Sequence, residues 1–174
     1  LITNCGEFFP KFGLRIKDEE RLDIVLENNI QTKIKHIDMQ DCTRSLLAME
    51  LWINEGTEID LSDQLNIESG DMHRMVETAN WLAYSLRELS RLLGRTDLIK
   101  ELDVLRQRIT YGIKEELTDL VKIKGIGRVR ARRLHRNNIK TRQDLATASV
   151  NQLAAIDKIG MTVANNIKSQ LKVR

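Results

Sequence analysis

An all-helical fold is what this sequence predicts, and three observations predict it. The 174 residues include one proline and 4% aromatic side chains, too few turn-formers and β-formers for a sandwich or barrel. Charged residues make up 30% and apolar ones 41%, with Leu, Ile, Lys, Arg and Glu abundant, as in long helices that wet one face and bury the other. Apolar residues also recur at helical spacing in one segment after another. The length allows one or two small domains.

Taken in order, residues 1–16 hold Phe8, Phe9, Pro10, Phe12 and Gly13 without a helical period, and Gly13 to Ile16 has the pattern of a short strand. A first helix is expected from Asp18, with Glu19 and Glu20 in its first turn and Leu22, Val25, Leu26 and Ile30 inward, to about His36. A second covers about Asp41–Asn54, and a short one lies near Leu61–Leu65, started by Asp60 or Ser62. Ser69-Gly70-Asp71 opens the longest, which runs to Leu93 and stops at Gly94. Thr96 caps the next, with Leu98, Leu102, Leu105 and Ile109 inward, and Gly112 ends it at the expected domain boundary.

Several classes are excluded. No run of 18 apolar residues and no secretion signal is present, so neither a membrane span nor export is expected. Cys5 and Cys42 stand far apart, and His36, His73 and His135 are scattered, which supports neither a disulfide framework nor a metal site. The chain starts at Leu1 rather than Met, so a piece of a longer protein is expected. It has no GxxxxGK[ST], GxGxxG, HExxH or GxSxG, so no catalytic residue and no cofactor are assigned to it.

The net charge of +3 hides a division. Residues 121–174 hold 13 of the 28 basic but only two of the 25 acidic side chains, Asp144 and Asp157, a net +11 that leaves −8 for residues 1–120. Such asymmetry points to a polyanion, nucleic acid first, although a patch docking on an acidic protein has the same signature.

Two patterns carry the binding reading. On the long helix, counted at 100° per residue from Met75, the residues Ala79, Leu82, Leu86, Leu89 and Leu93 fall within about 40° and form a core stripe. Trp81 and Arg74 lie about 120° and 100° to one side of it, two turns apart, with only Thr78 and Ser85 between them and the core. An indole above a guanidinium can stack on unpaired bases and hold a phosphate, whereas the alternative is a Trp packed against a neighbouring helix.

The second pattern is a repeat. Leu120-x-x-Ile123-x-Gly125-Ile126-Gly127-x-x-x-Ala131-x-x-Leu134 recurs as Leu153-x-x-Ile156-x-Lys158-Ile159-Gly160-x-x-x-Ala164-x-x-Ile167, every position shifted by 33. This is a helix-hairpin-helix pair: glycine frees the turn, alanine lets the helices approach, and the second helix offers its first N–H groups to a phosphate. Lys122, Lys124, Arg128, Arg130, Arg132 and Arg133 surround the first turn. Lys158 replaces the first glycine of the second, leaving Gly160 as its only glycine.

The runs Ser69 to Leu82, Tyr111 to Leu117 and Ile126 to Leu134 closely resemble the C-terminal part of the archaeal Ski-two-like ATP-dependent DNA repair helicases, relatives of the animal helicase HELQ. The resemblance implies a remnant of a winged-helix region at 1–16, a helical ratchet domain at 17–111 and a helix-hairpin-helix DNA-binding domain at 112–174. It implies that Arg74 and Trp81 contact the translocating single strand, and that Arg128, Arg130, Arg132 and Arg133 bind DNA and restrain unwinding. ATP and magnesium are implied only for upstream motor domains of the same polypeptide. A monomer working on single-stranded or forked DNA in the cytoplasm of an archaeal-type cell follows. The rival readings are the helix-hairpin-helix module of a structure-specific nuclease or junction-binding factor, and a protein-docking helical scaffold.

Overall fold

The computed structural model describes residues 2–13, 15 and 43–171. The helix expected from Asp18 to His36 lies outside the described residues. Among those described there is no strand; of the stretch read as one, Gly13 to Ile16, Gly13 and Arg15 have no regular structure, and Leu14 and Ile16 lie outside the described residues. The chain divides into two compact units, Leu1–Thr110 and Tyr111–Arg174.

Among the described residues the first unit contains α1 (Thr43–Ile53), α2 (Glu58–Leu65), α3 (Ser69–Leu92) and α4 (Asp97–Tyr111, whose last residue belongs to the second unit), with a 3-10 turn at Ile2–Asn4. Its core joins Phe8, Leu47, Leu61, Leu65, Ile67, Met72, Met75, Ala79 and Ile109. The short helix α2 starts earlier than expected. Thr57 is its cap, because the Asp60 carboxylate reaches back to accept the Thr57 N–H at 2.7 Å while the Thr57 hydroxyl accepts the Asp60 N–H at 3.1 Å. Asp60 is therefore the third helical residue and closes a capping box.

The stripe expected along α3 holds for half its length. Met75 and Ala79 are fully buried, but Leu89 and Leu93 are 54% and 77% exposed. Ala83 and Ser90 are buried instead, and they lie about 60–80° further round the helix. The reason is the side from which α4 arrives. Arg87 donates to Asp103 at 2.7 Å, Thr110 donates to Asn80 at 3.0 Å, and the Arg106 guanidinium sits 5.0 Å from the Tyr84 ring centroid. These ties bring α4 to the same side of α3 as the small residues Ala83 and Ser90. The helix then ends at Gly94, whose φ of +71° a side chain would strain.

The second unit starts with a 3-10 turn, Glu115–Leu117, followed by turns up to Gly125, where the repeat predicted a first helix for the first hairpin. Then come α5 (Arg128–Arg136), α6 (Arg142–Thr147), α7 (Val150–Ala154) and α8 (Met161–Leu171). The 33-residue repeat supplies most of the core. Leu120 and Leu153, Ile123 and Ile156, Ile126 and Ile159, Ala131 and Ala164, and Leu134 and Ile167 are all buried in one cluster. Each buried aliphatic side chain contributes about 1.5–3 kcal/mol of hydrophobic stabilisation.

Candidate nucleic-acid interface

On α3 the expected ledge is present. Trp81 is 56% exposed and Arg74 is exposed, with no described carboxylate paired to it. Between them the Thr78 hydroxyl donates to a carbonyl, with that of Arg74 at 3.0 Å and that of Phe9 at 3.1 Å both in range, and Ser85 donates to the carbonyl of Trp81 at 3.0 Å. At 56% exposure Trp81 is not buried against a neighbouring helix, as the alternative required. Trp52 is half-buried, and its indole N–H donates to the Ile109 carbonyl at 2.7 Å. A residue that the sequence pattern missed joins the ledge. Phe9 is 63% exposed although its neighbours Phe8 and Pro10 are buried, and its carbonyl lies against Thr78. Its segment has no periodicity, so no sequence signal marked it.

In the second unit the capping of the helices separates two kinds of helix start. Thr141 with Asp144 closes a capping box on α6, and Ser149 with Gln152 closes one on α7. The hairpin helices begin on glycine instead. Gly127 is the N-cap of α5 with no side-chain hydrogen bond to it, and Gly160 directly precedes α8, its carbonyl accepting the Ala164 N–H at 3.0 Å. A Cβ at Gly125, Gly127 or Gly160 would meet nothing within 4 Å, so the backbone here is open to an approaching group. First-turn N–H groups without a side-chain cap and the positive helix end suit a phosphate.

The turns adopt the same left-handed step despite their different residues, with φ of +91° at Gly125 and +66° at Lys158. A left-handed lysine costs on the order of 1–2 kcal/mol. The Lys158 carbonyl accepts from Arg130 Nε at 2.9 Å, and a hydrogen bond from a charged donor contributes a similar amount, about 1.5–3 kcal/mol. The same guanidinium donates to the Gly125 carbonyl at 2.7 Å.

The structure sorts the predicted site residues. Ile126 is buried and holds the turn from beneath. Arg130 serves the two turns as described. Arg132 pairs with Glu116 at 3.0 Å, Arg133 with Asp157 at 3.2 Å, and Lys122 with Asp119 at 3.1 Å. Arg128 is half-buried at the start of α5. The Lys124 peptide is held by Gln170, which accepts its N–H and donates to its carbonyl, both at 2.9 Å. Lys124 and Lys158 are exposed, and among the described residues neither ammonium has an ion-pair partner. Lys168 instead works within the frame, where its ammonium donates to the carbonyls of Ala146 and Ala148, at 2.6 and 2.7 Å, and so caps α6.

Two carboxylates anchor this frame. Asp119 accepts the Arg142 N–H at 2.7 Å, and that bond, followed by the Lys122 contact, overcomes partial burial and holds its carboxyl below the usual range. Burial pushes the Glu116 carboxyl up, but its hydrogen bond and charge contact with Arg132 help carry it below its ordinary value. Among the described residues no group of His, Cys, Asp and Glu could hold a metal, and no helix is long and apolar enough to cross a membrane.

Comparison with known proteins places both units. Residues 1–112 match the family described as archaeal helicase, domain 4, and residues 117–173 match the SAM-like helix-hairpin-helix tandem. Similar proteins include the ATP-dependent DNA helicase Hel308 of Pyrococcus horikoshii, 36% identical over 74% of this chain and 18% of its own length. The Methanocella arvoryzae Hel308 is 41% identical over 70% of the chain and 16% of its own length. That of Methanocaldococcus jannaschii is 34% identical over 100% of the chain and 14% of its own length. The chain thus spans less than a fifth of these curated relatives. The exposed ledge and the paired hairpins are carried by a chain that belongs to the archaeal helicase domain 4 family, joined to a helix-hairpin-helix tandem.

Proposed function

We propose that this chain is the DNA-engaging C-terminal portion of an ATP-dependent 3′-to-5′ DNA helicase that acts in DNA repair and replication-fork processing. Trp81 stacks against an unpaired base while Arg74 holds the adjoining backbone, a one-way contact past which motor domains draw the single strand. The helix-hairpin-helix tandem grips backbone phosphates through the first N–H groups of α5 and α8, with Lys124, Arg133 and Lys158 supplying positive charge. ATP and magnesium act in motor domains outside these residues, and supply the energy of translocation there. The protein works as a monomer on single-stranded or forked DNA, in the cytoplasm of an archaeal-type cell. The observation that carries the reading is the exposed Trp81–Arg74 pair on α3 of a chain in a helicase family.

The test is an anisotropy titration of the whole chain with single-stranded, duplex and forked oligonucleotides across a salt series. Sequence-indifferent binding to single strands is expected, with each phosphate contact adding about −0.7 to the log–log salt slope. Absence of binding at low salt overturns the reading. A preference for duplex that Trp81→Ala leaves untouched assigns the chain to a junction-binding role instead.

A further inference from the structure

The Arg130 guanidinium donates to both hairpin turns. Its Nε reaches the Lys158 carbonyl at 2.9 Å, and another guanidinium nitrogen reaches the Gly125 carbonyl at 2.7 Å. These carbonyls belong to the left-handed residues of the two turns, at φ +66° and +91°. The position 33 residues further on is Val163, which has no side-chain donor to offer, so the repeat makes no reciprocal tie from that position. A guanidinium suits this role because its planar fork points two N–H groups at two acceptors in a fixed geometry. An ammonium is a point charge on a flexible stem and does not set the spacing of two carbonyls.

We infer that Arg130 is a positioning residue that locks the two hairpin turns into one phosphate-binding unit, so that the second turn, which lacks its first glycine, is held ready by the first. The inference rests on the DNA-binding reading for its consequence but not for its geometry. With the turns locked, Gly127 and Gly160 stand at a fixed separation, and both helix starts engage one backbone together. Without the lock, the Lys158 turn loses the bond that offsets its left-handed strain and presents the α8 start poorly.

The variant that separates the possibilities is Arg130→Lys in the whole chain, which keeps the charge and removes the fork. On the free chain, hydrogen exchange at the Ile159 amide, bonded to Ile156 at 3.0 Å, is expected to accelerate at least about tenfold, while Leu134 and Ile167 inside α5 and α8 are unchanged. In titrations with a single-stranded oligonucleotide the affinity is expected to fall about tenfold. Gly160→Ala is expected to weaken the wild-type chain and to add nothing in the Arg130→Lys background. Unchanged exchange at Ile159 overturns the lock whether or not the chain binds DNA. So does a Gly160→Ala loss of equal size in both backgrounds. If the wild-type chain does not bind at all, the DNA reading falls, and the exchange result still decides the lock.

Discussion

The indole N–H of Trp52 donates to the Ile109 carbonyl at 2.7 Å and ties α1 to the end of α4, whereas the other tryptophan, Trp81, stands exposed on α3. Trp52→Ala removes a packed side chain and a hydrogen bond, and is expected to destabilise the first unit by about 3 kcal/mol. Trp81→Ala removes an exposed ring and is expected to leave the thermal midpoint within about a degree. It should weaken single-strand binding between about fivefold and a hundredfold, the range of one base–aromatic stack. Thermal unfolding and oligonucleotide titration of both variants check this, and a stable Trp81→Ala chain with intact affinity counts against the ledge.

The two glycines of the first hairpin separate backbone strain from ligand access. Gly125 has φ of +91°, so Gly125→Ala is expected to destabilise the second unit by about 1–2 kcal/mol even though the added methyl meets no neighbour. Gly127 is extended at φ −98° with open space around it, and Gly127→Ala is expected to fold normally. Its methyl stands at the uncapped helix start, so DNA affinity should drop at least about threefold. Calorimetry and anisotropy on the two variants give opposite orderings if the helix start is the phosphate site.

Asp157 draws Arg133 into a pair whose partners are 42% and 59% exposed, the class of ion pair that contributes only about 0–1 kcal/mol. A phosphate can therefore take Arg133 from it. Asp157→Asn frees the guanidinium and removes a negative charge beside the second turn, and is expected to tighten binding about threefold at low ionic strength, with the gain shrinking as salt rises. Equal affinity of the variant and wild type at low salt would show that Arg133 makes no phosphate contact.

Asp119 and Asp144 have folded-state pKa values below the ordinary 3.8, Asp119 through the Arg142 N–H and Asp144 through the N–H groups of Lys140 and Thr141. A depressed carboxyl contributes stability that is present above the unfolded pKa and is lost as pH falls through the folded one. The second unit is expected to hold a level stability down to about pH 5 and to lose it progressively below about pH 4. Asp119→Asn should lower stability at neutral pH and flatten that acid limb. Denaturant midpoints measured from pH 7 to pH 2 test both statements.

What could be read from the sequence was whatever local spacing decides. The shift of 33 residues identified ten core positions of the tandem, because a helix-hairpin-helix buries the same face in each repeat, but not Ile113, Leu117, Val121 or Leu145, which complete the core from outside the pattern. The hairpin glycines were legible in the letters, whereas the capping boxes of Thr141 with Asp144 and Ser149 with Gln152 were seen only in the structure. The two-turn spacing of Arg74 and Trp81 put them on one flank before any neighbour was known.

Tertiary structure decided the rest. Periodicity measures the angle between residues of one helix but not the direction of the next, so the burial of Ala83 and Ser90 in place of Leu89 and Leu93 had to wait for α4. The arginines are alike in sequence, and only the packed hairpins distinguish them: Arg132 and Arg133 meet carboxylates 16 and 24 positions away, while Arg130 spans two turns through carbonyls that no side-chain pattern records. Sequence established a basic helix-hairpin-helix pair. Which of its charges face outward and which hold the pair together is settled by contacts between segments distant in the chain.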